Sequence, residues 1–141
     1  MCKAFSDIRS VNIHDFVQGE EFENEFFKGD ALLHVESFDK KTIARVKYSV
    51  STKIADSLTS GIPLFAYGPE KIASIEHLKR NGCAVIATSR EELNGKLNRL
   101  FFDKNLIKEI LLKAEITVKK YHDKDKVGNE IYNIVHSLCE N

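Results

Sequence analysis

The chain has 141 residues, of which 43% are hydrophobic, and its 21 basic and 21 acidic side chains cancel. This length and composition predict one domain, residues 1–141, with a hydrophobic core. The balanced charge argues against a nucleic-acid partner, and no apolar run approaches the roughly 18–20 residues of a membrane span. We therefore expect a cytoplasmic protein, and peripheral membrane contact stays open.

The balanced total hides a local reversal of charge. Up to Asp39 the sequence has nine acidic residues and only three basic ones, Lys3, Arg9 and Lys28. From Lys40 to Lys53 it has five basic residues and no acidic one. The nine acids are Asp7, Asp15, Glu20, Glu21, Glu23, Glu25, Asp30, Glu36 and Asp39.

The three cysteines, Cys2, Cys83 and Cys139, are widely spaced and lack the spacing of a metal-binding finger. Free thiols in a reducing compartment fit this pattern best. His34 and Glu36 point the same way on a predicted strand, but two ligands without a third do not make a metal site. We expect neither a metal ion nor another cofactor.

Short apolar runs alternate with helical patterns along the chain. The predicted strands are Val11–His14, Ala31–Val35, Pro63–Tyr67 and Cys83–Ala87. The predicted helices are residues 19–27, 52–60, 71–80, a helix after Ser89, 106–121 and 125–138, the last burying Val127, Ile131, Ile134, Val135 and Leu138. Residues 39–49 fit either a loop or an irregular helix. This alternation predicts an α/β fold, a Rossmann-like parallel sheet of about four strands flanked by helices, with two C-terminal helices.

The stretch from Ser49 to Glu70 combines a helix start, a sharp stop and a buried strand. Ser51 or Thr52 can cap a helix, Gly61 suits its left-handed end, and Pro63 prevents continuation. The helix start would present N–H groups, two hydroxyls and Lys53, which together favour a phosphate group. The ordinary alternative is a helix cap beside a solvated lysine.

The region from Ala31 to Glu70 resembles the nucleotide-sugar-binding domain of the GT-B glycosyltransferases, in particular the retaining group that builds bacterial polysaccharides. In that family a strand similar to ALLHVES precedes a helix of the form Ser-x-Lys-x-x-acid that ends in small-Gly-x-Pro. The resemblance continues through PLFAYGPE, CAVIA and the later helices. The matching residues are Ser51, Lys53, Asp56, Ser60, Gly61 and Pro63.

The resemblance implies a nucleotide-diphosphate sugar as ligand and hexosyl transfer with retained configuration. A second family glutamate, which contacts the sugar, has its equivalent at Tyr48, and Glu36 or a residue of the loop up to Tyr48 is expected to replace it. The implied donor-binding residues are Ser51, Thr52 and Lys53 for the diphosphate, Asp56 for the ribose, and Glu36 and Glu70 near the sugar; catalytic residues stay unassigned.

A complete GT-B enzyme has an acceptor-binding domain and two further strand-helix units before this region. We therefore expect the chain to be a C-terminal part of a donor domain, active only with an acceptor domain or another chain. The alternative is a non-catalytic interaction module that oligomerises through a free sheet edge.

Overall fold

The structure, a computed structural model, describes residues 9–139, and Cys2 lies outside that range. The strands are β1 (Leu32–Val35), β2 (Leu64–Tyr67) and β3 (Val85–Ala87). The helices are α1 (Glu20–Phe26), α2 (Lys40–Val46), α3 (Thr52–Thr59), α4 (Ala73–Asn81), α5 (Leu93–Phe102), α6 (Lys104–Tyr121) and α7 (Lys124–Cys139).

The three strands form a parallel sheet in the order β1-β2-β3. In its register Leu33 lies beside Phe65, and Tyr67 lies beside Ala87. Helices α2 and α3 connect β1 to β2, and α4 connects β2 to β3. The predicted α/β class with a parallel sheet is confirmed, and the arrangement is consistent with a Rossmann-like fold.

The predicted fourth strand, Val11–His14, is wrong, because residues 11–18 form no regular element in the structure. Val11 and Ile13 are 40% and 44% exposed, so their alternation with polar residues corresponds to no buried face. A strand is stable only when a neighbour pairs with its backbone and a core covers its apolar side. Neither condition is met there, and within residues 9–139 the sheet has three strands rather than about four.

The basic segment after β1 is a regular helix, α2, which resolves the two readings left open by the sequence. Asp39 is its N-cap, and one carboxylate oxygen accepts from the Thr42 backbone N–H at 2.9 Å and from the Thr42 hydroxyl at 3.1 Å. These hydrogen bonds lower the pKa of Asp39. An aspartate three residues before a threonine is thus the local signal that starts the helix.

Helices cover both faces of the sheet over β2 and β3. Because successive residues of a strand point to opposite faces, Leu64 and Ala66 belong to one cluster and Phe65 to the other. The first cluster contains Ile54, Leu58, Leu64, Ala66, Ile72, Ile75, Leu78, Cys83 and Ala114. The second contains Phe65, Val85, Ala87, Leu100 and Ile110. The long helix α6 supplies residues to both clusters.

Strand β1 and helices α1, α2 and α7 contain no fully buried residue. Leu33 and Val35 of β1 are 69% and 57% exposed, so the face that α5 and α6 cover over β2 and β3 is open at β1. Helix α7 buries none of its residues. The prediction that its apolar side is buried is therefore wrong, although the helix is amphipathic as expected.

Candidate functional site

Two predicted site regions lie at the edge of the sheet that the carboxyl ends of its parallel strands form. Glu36 directly follows β1, and Gly68 to Glu70 follow β2. Since α3 runs back from this edge to the start of β2, its N-terminus lies on the same side of the sheet. Ligands of open α/β sheets bind outside this edge.

Helix α3 begins at Thr52 and ends at Thr59, within one residue of the prediction. Ser51 is the N-cap in extended conformation, but its side chain makes no capping hydrogen bond. Ser51 is half-buried, whereas Thr52 and Lys53 are exposed. Gly61 has a φ of 74°, the left-handed conformation predicted for it. The first turn therefore keeps its side chains available to a ligand.

A buried serine of α4 holds the segment before α3 in place. The backbone N–H of Ser51 donates to Ser74 Oγ at 3.1 Å, and the Ser74 hydroxyl donates to the Ser49 carbonyl at 3.3 Å. The Ala73 N–H donates to the Lys47 carbonyl at 2.8 Å. We call these three hydrogen bonds the Ser74 bridge. They join segments more than 20 residues apart, so no local pattern predicts them.

Glu36 is fixed at the end of β1 by several contacts. Its carboxylate lies 3.0 Å from His34 Nε2, and both side chains are largely shielded from solvent. Its backbone N–H donates to the Tyr67 carbonyl at 2.8 Å. The prediction that His34 and Glu36 point the same way is confirmed, and their contact is a hydrogen-bonded pair.

Gly68, immediately after β2, allows Glu36 to approach. A Cβ atom at position 68 would lie 2.7 Å from Glu36 Cβ and 3.2 Å from Ile75 Cγ1. Real Cβ atoms do not approach so closely, so any side chain at position 68 would displace β1 or α4. This glycine is a site-shaping residue that the sequence pattern did not single out.

The other predicted residues differ in their surroundings. Asp56 is exposed one turn after Thr52 on α3. Glu70 forms an ion pair with Lys79 of α4, and this contact lowers the pKa of Glu70. Glu70 also lines a surface depression of about 560 Å³ along α4. Tyr48 is 86% exposed, and Lys47 Nζ lies 5.1 Å from its ring centroid.

Within residues 9–139, no group of three or more His, Cys, Asp or Glu side chains is arranged to hold a metal ion. Cys83 and Cys139 are free thiols, and burial raises the pKa of Cys83. None of the helices in this range is long and apolar enough to cross a membrane.

Comparison of the chain with protein-family models, with curated proteins and with solved structures found no match. The assignment of a function therefore depends on the geometry of the α3 start and on the motif that Ser51, Lys53 and Asp56 form.

Proposed function

We propose that the start of α3 binds the diphosphate of a nucleotide-sugar donor, and that the chain is part of a GT-B-type glycosyltransferase donor domain. The observation that carries the proposal is an N-terminus without a side-chain cap, beside the sheet edge where ligands of α/β folds bind. The resemblance of the Ser51 to Pro63 motif to that family supplies the ligand class.

The first turn of α3 offers specific donors to a diphosphate. The Ser51 N–H donates to Ser74, and the Ile54 N–H donates to the Ser51 carbonyl at 3.1 Å. The N–H groups of Thr52 and Lys53 have no partner within the helix, so they can donate to a ligand together with the side chains of the same residues. The helix dipole and the lysine charge both favour an anion there.

The same groups would assist sugar transfer. When the bond between the sugar and the diphosphate breaks, negative charge develops on the diphosphate oxygen that leaves. Fixed N–H donors and an ammonium group stabilise that charge more effectively than water does. The Ser74 bridge contributes by holding the helix start in one position before the ligand arrives.

The remaining parts of the donor are assigned to carboxylates. Asp56, exposed one turn after Thr52, is proposed to accept hydrogen bonds from the ribose hydroxyls. Glu36, held by His34 at the end of β1, is the stronger candidate for the sugar. Glu70 is the weaker one, because it lies three residues beyond the end of β2, whereas Glu36 directly follows β1. Hexosyl transfer with retention would require an acceptor domain.

Isothermal titration calorimetry with UDP, GDP, their hexose conjugates and inorganic pyrophosphate tests the assignment. We expect Lys53→Ala to weaken the binding of all these ligands by about tenfold, since one charge-assisted contact is lost. Asp56→Asn should weaken nucleotide binding but leave pyrophosphate binding unchanged, because pyrophosphate has no ribose. Lys119→Ala, on α6, is the matched control and should change neither.

Two results would contradict the proposal. One is the absence of heat and of any thermal stabilisation at millimolar ligand while circular dichroism shows a folded protein. The other is binding that Lys53→Ala and Lys119→Ala weaken equally, which would indicate nonspecific attraction of an anion.

A further inference from the structure

The free edge of β1 combines unpaired backbone groups with exposed apolar side chains. The N–H groups of Leu32 and Glu36 donate to Pro63 and Tyr67, at 2.9 and 2.8 Å. Backbone groups alternate in direction along a strand, so those of Leu33 and Val35 face away from β2. Within the described residues β1 pairs with β2 alone. The edge can therefore accept another strand.

The charges on the two sides of β1 are opposite. Residues 20–30, which precede the strand, contain five acidic side chains and one lysine. Residues 36–47, which follow it, contain four basic side chains and two acidic ones, Glu36 and Asp39. The segment before β1 therefore has a net charge of −4 and the segment after it a net charge of +2.

This charge pattern selects both the partner and its direction. In an antiparallel pair, the amino end of each strand lies beside the carboxyl end of the other. Two copies of β1 paired in this way bring the acidic segment of each near the basic segment of the other, twice by symmetry. A parallel pair would instead place like charges together, which repel.

We propose that β1 pairs antiparallel with β1 of a second copy of this chain, forming a six-stranded sheet around a two-fold axis at His34. In that register Leu33 lies opposite Val35 of the second copy, and each such pair exchanges two backbone hydrogen bonds. The side chains of Leu33 and Val35, 69% and 57% exposed in one copy, form a continuous apolar patch with their symmetry mates. His34 and Glu36 point to the opposite face of β1, so this patch does not include the carboxylate assigned to the sugar.

Sedimentation equilibrium over a wide range of concentration tests the proposal. We expect a monomer–dimer equilibrium, and Leu33→Lys with Val35→Lys should raise its dissociation constant by about tenfold or more, since four buried like charges would face each other. The matched control is Leu112→Lys with Ile116→Lys, at two similarly exposed apolar positions of α6. It should leave the dissociation constant unchanged.

Charge reversal tests the direction of the strands. Lys40→Glu with Lys41→Glu should weaken the dimer, because the segment after β1 then has a net charge of −2 and repels the acidic segment of the other copy. Adding Glu20→Lys with Glu21→Lys makes residues 20–30 neutral and should remove that repulsion. In a parallel dimer the first two changes would leave segments of like charge facing each other as before, so an unchanged dissociation constant overturns the register. A chain that is monomeric at all concentrations overturns the proposal, as does a dimer lost only on Ile131→Lys with Ile134→Lys in α7. Circular dichroism verifies that each variant is folded.

Discussion

The part of the sheet formed by β2 and β3 and the part formed by β1 differ in burial, although the strands have similar composition. Leu33 and Phe65 are neighbours in register and point to the same face, yet Leu33 is 69% exposed and Phe65 is 3% exposed. The difference arises because α5 and α6 cover that face over β2 and β3 but not over β1. An apolar strand is therefore not sufficient for burial; a helix must also reach it. We call the two regions the covered side and the β1 side.

The largest expected effect is the difference in stability between two leucine substitutions, one on the covered side and one on the β1 side. Leu64→Ala on β2 removes a side chain that is 1% exposed and leaves a cavity, so we expect a loss of about 2–5 kcal/mol in the free energy of unfolding. Leu33→Ala on β1 should change that free energy by less than about 0.5 kcal/mol. Urea unfolding at low protein concentration measures both, and equal losses would remove the distinction between the two sides.

A smaller effect should come from Gly68, where the two sides meet. In Gly68→Ala the new Cβ would press against Glu36 and Ile75, so we expect a loss of about 1–3 kcal/mol. Gly95→Ala in α5 is the control, because nothing lies within 4 Å of the added atom, and it should stabilise the helix by about 0.5–1 kcal/mol. Equal effects in urea unfolding would show that β1 moves freely relative to β2.

The smallest effect is a pH dependence that belongs to the covered side. His77 of α4 and His122 after α6 have their Nε2 atoms 3.1 Å apart, so one ring donates a hydrogen bond to the other, and the accepting ring is neutral. Burial lowers the pKa of both rings, and for His77 the nearby His122 and Arg80 lower it further.

The sign of this effect follows from proton linkage. The unfolded chain, with histidine pKa values near about 6.5, binds more protons in acid than the folded chain does. The stability is therefore full above that pH and decreases as the pH falls through the lowered pKa values of the folded state. Unfolding curves from pH 8 to pH 5 should show this decrease, and His77→Gln with His122→Gln should reduce it. Ser74→Ala, which lowers stability without removing a titrating group, should keep the slope of the wild type; equal slopes in all three proteins would contradict the assignment.

Local signals predicted α3 within one residue, because a serine at the N-cap position, an apolar stripe at Ile54 and Leu58, and Gly61 all lie within ten positions. The same kind of signal failed at Val11–His14. Apolar and polar residues alternate there as in a strand, but no neighbouring strand pairs with this segment. Ser74 could not be predicted as the bridge to Ser49 and Ser51, since a serine in the first turn of a helix is ordinarily a surface residue.

The sequence by itself determined the elements whose signals are local: the α/β alternation, the parallel strand runs, the start and end of α3, and the reversal of charge around β1. Only the tertiary structure decided which of the apolar runs are buried, how close Glu36 lies to Gly68, and how Ser74 holds the start of α3. The physical reason is that capping, periodicity and charge act over a few residues, whereas burial and close contact depend on segments distant in the chain. The open edge of β1 belongs to the second group, because it depends on which distant strands pair with β1.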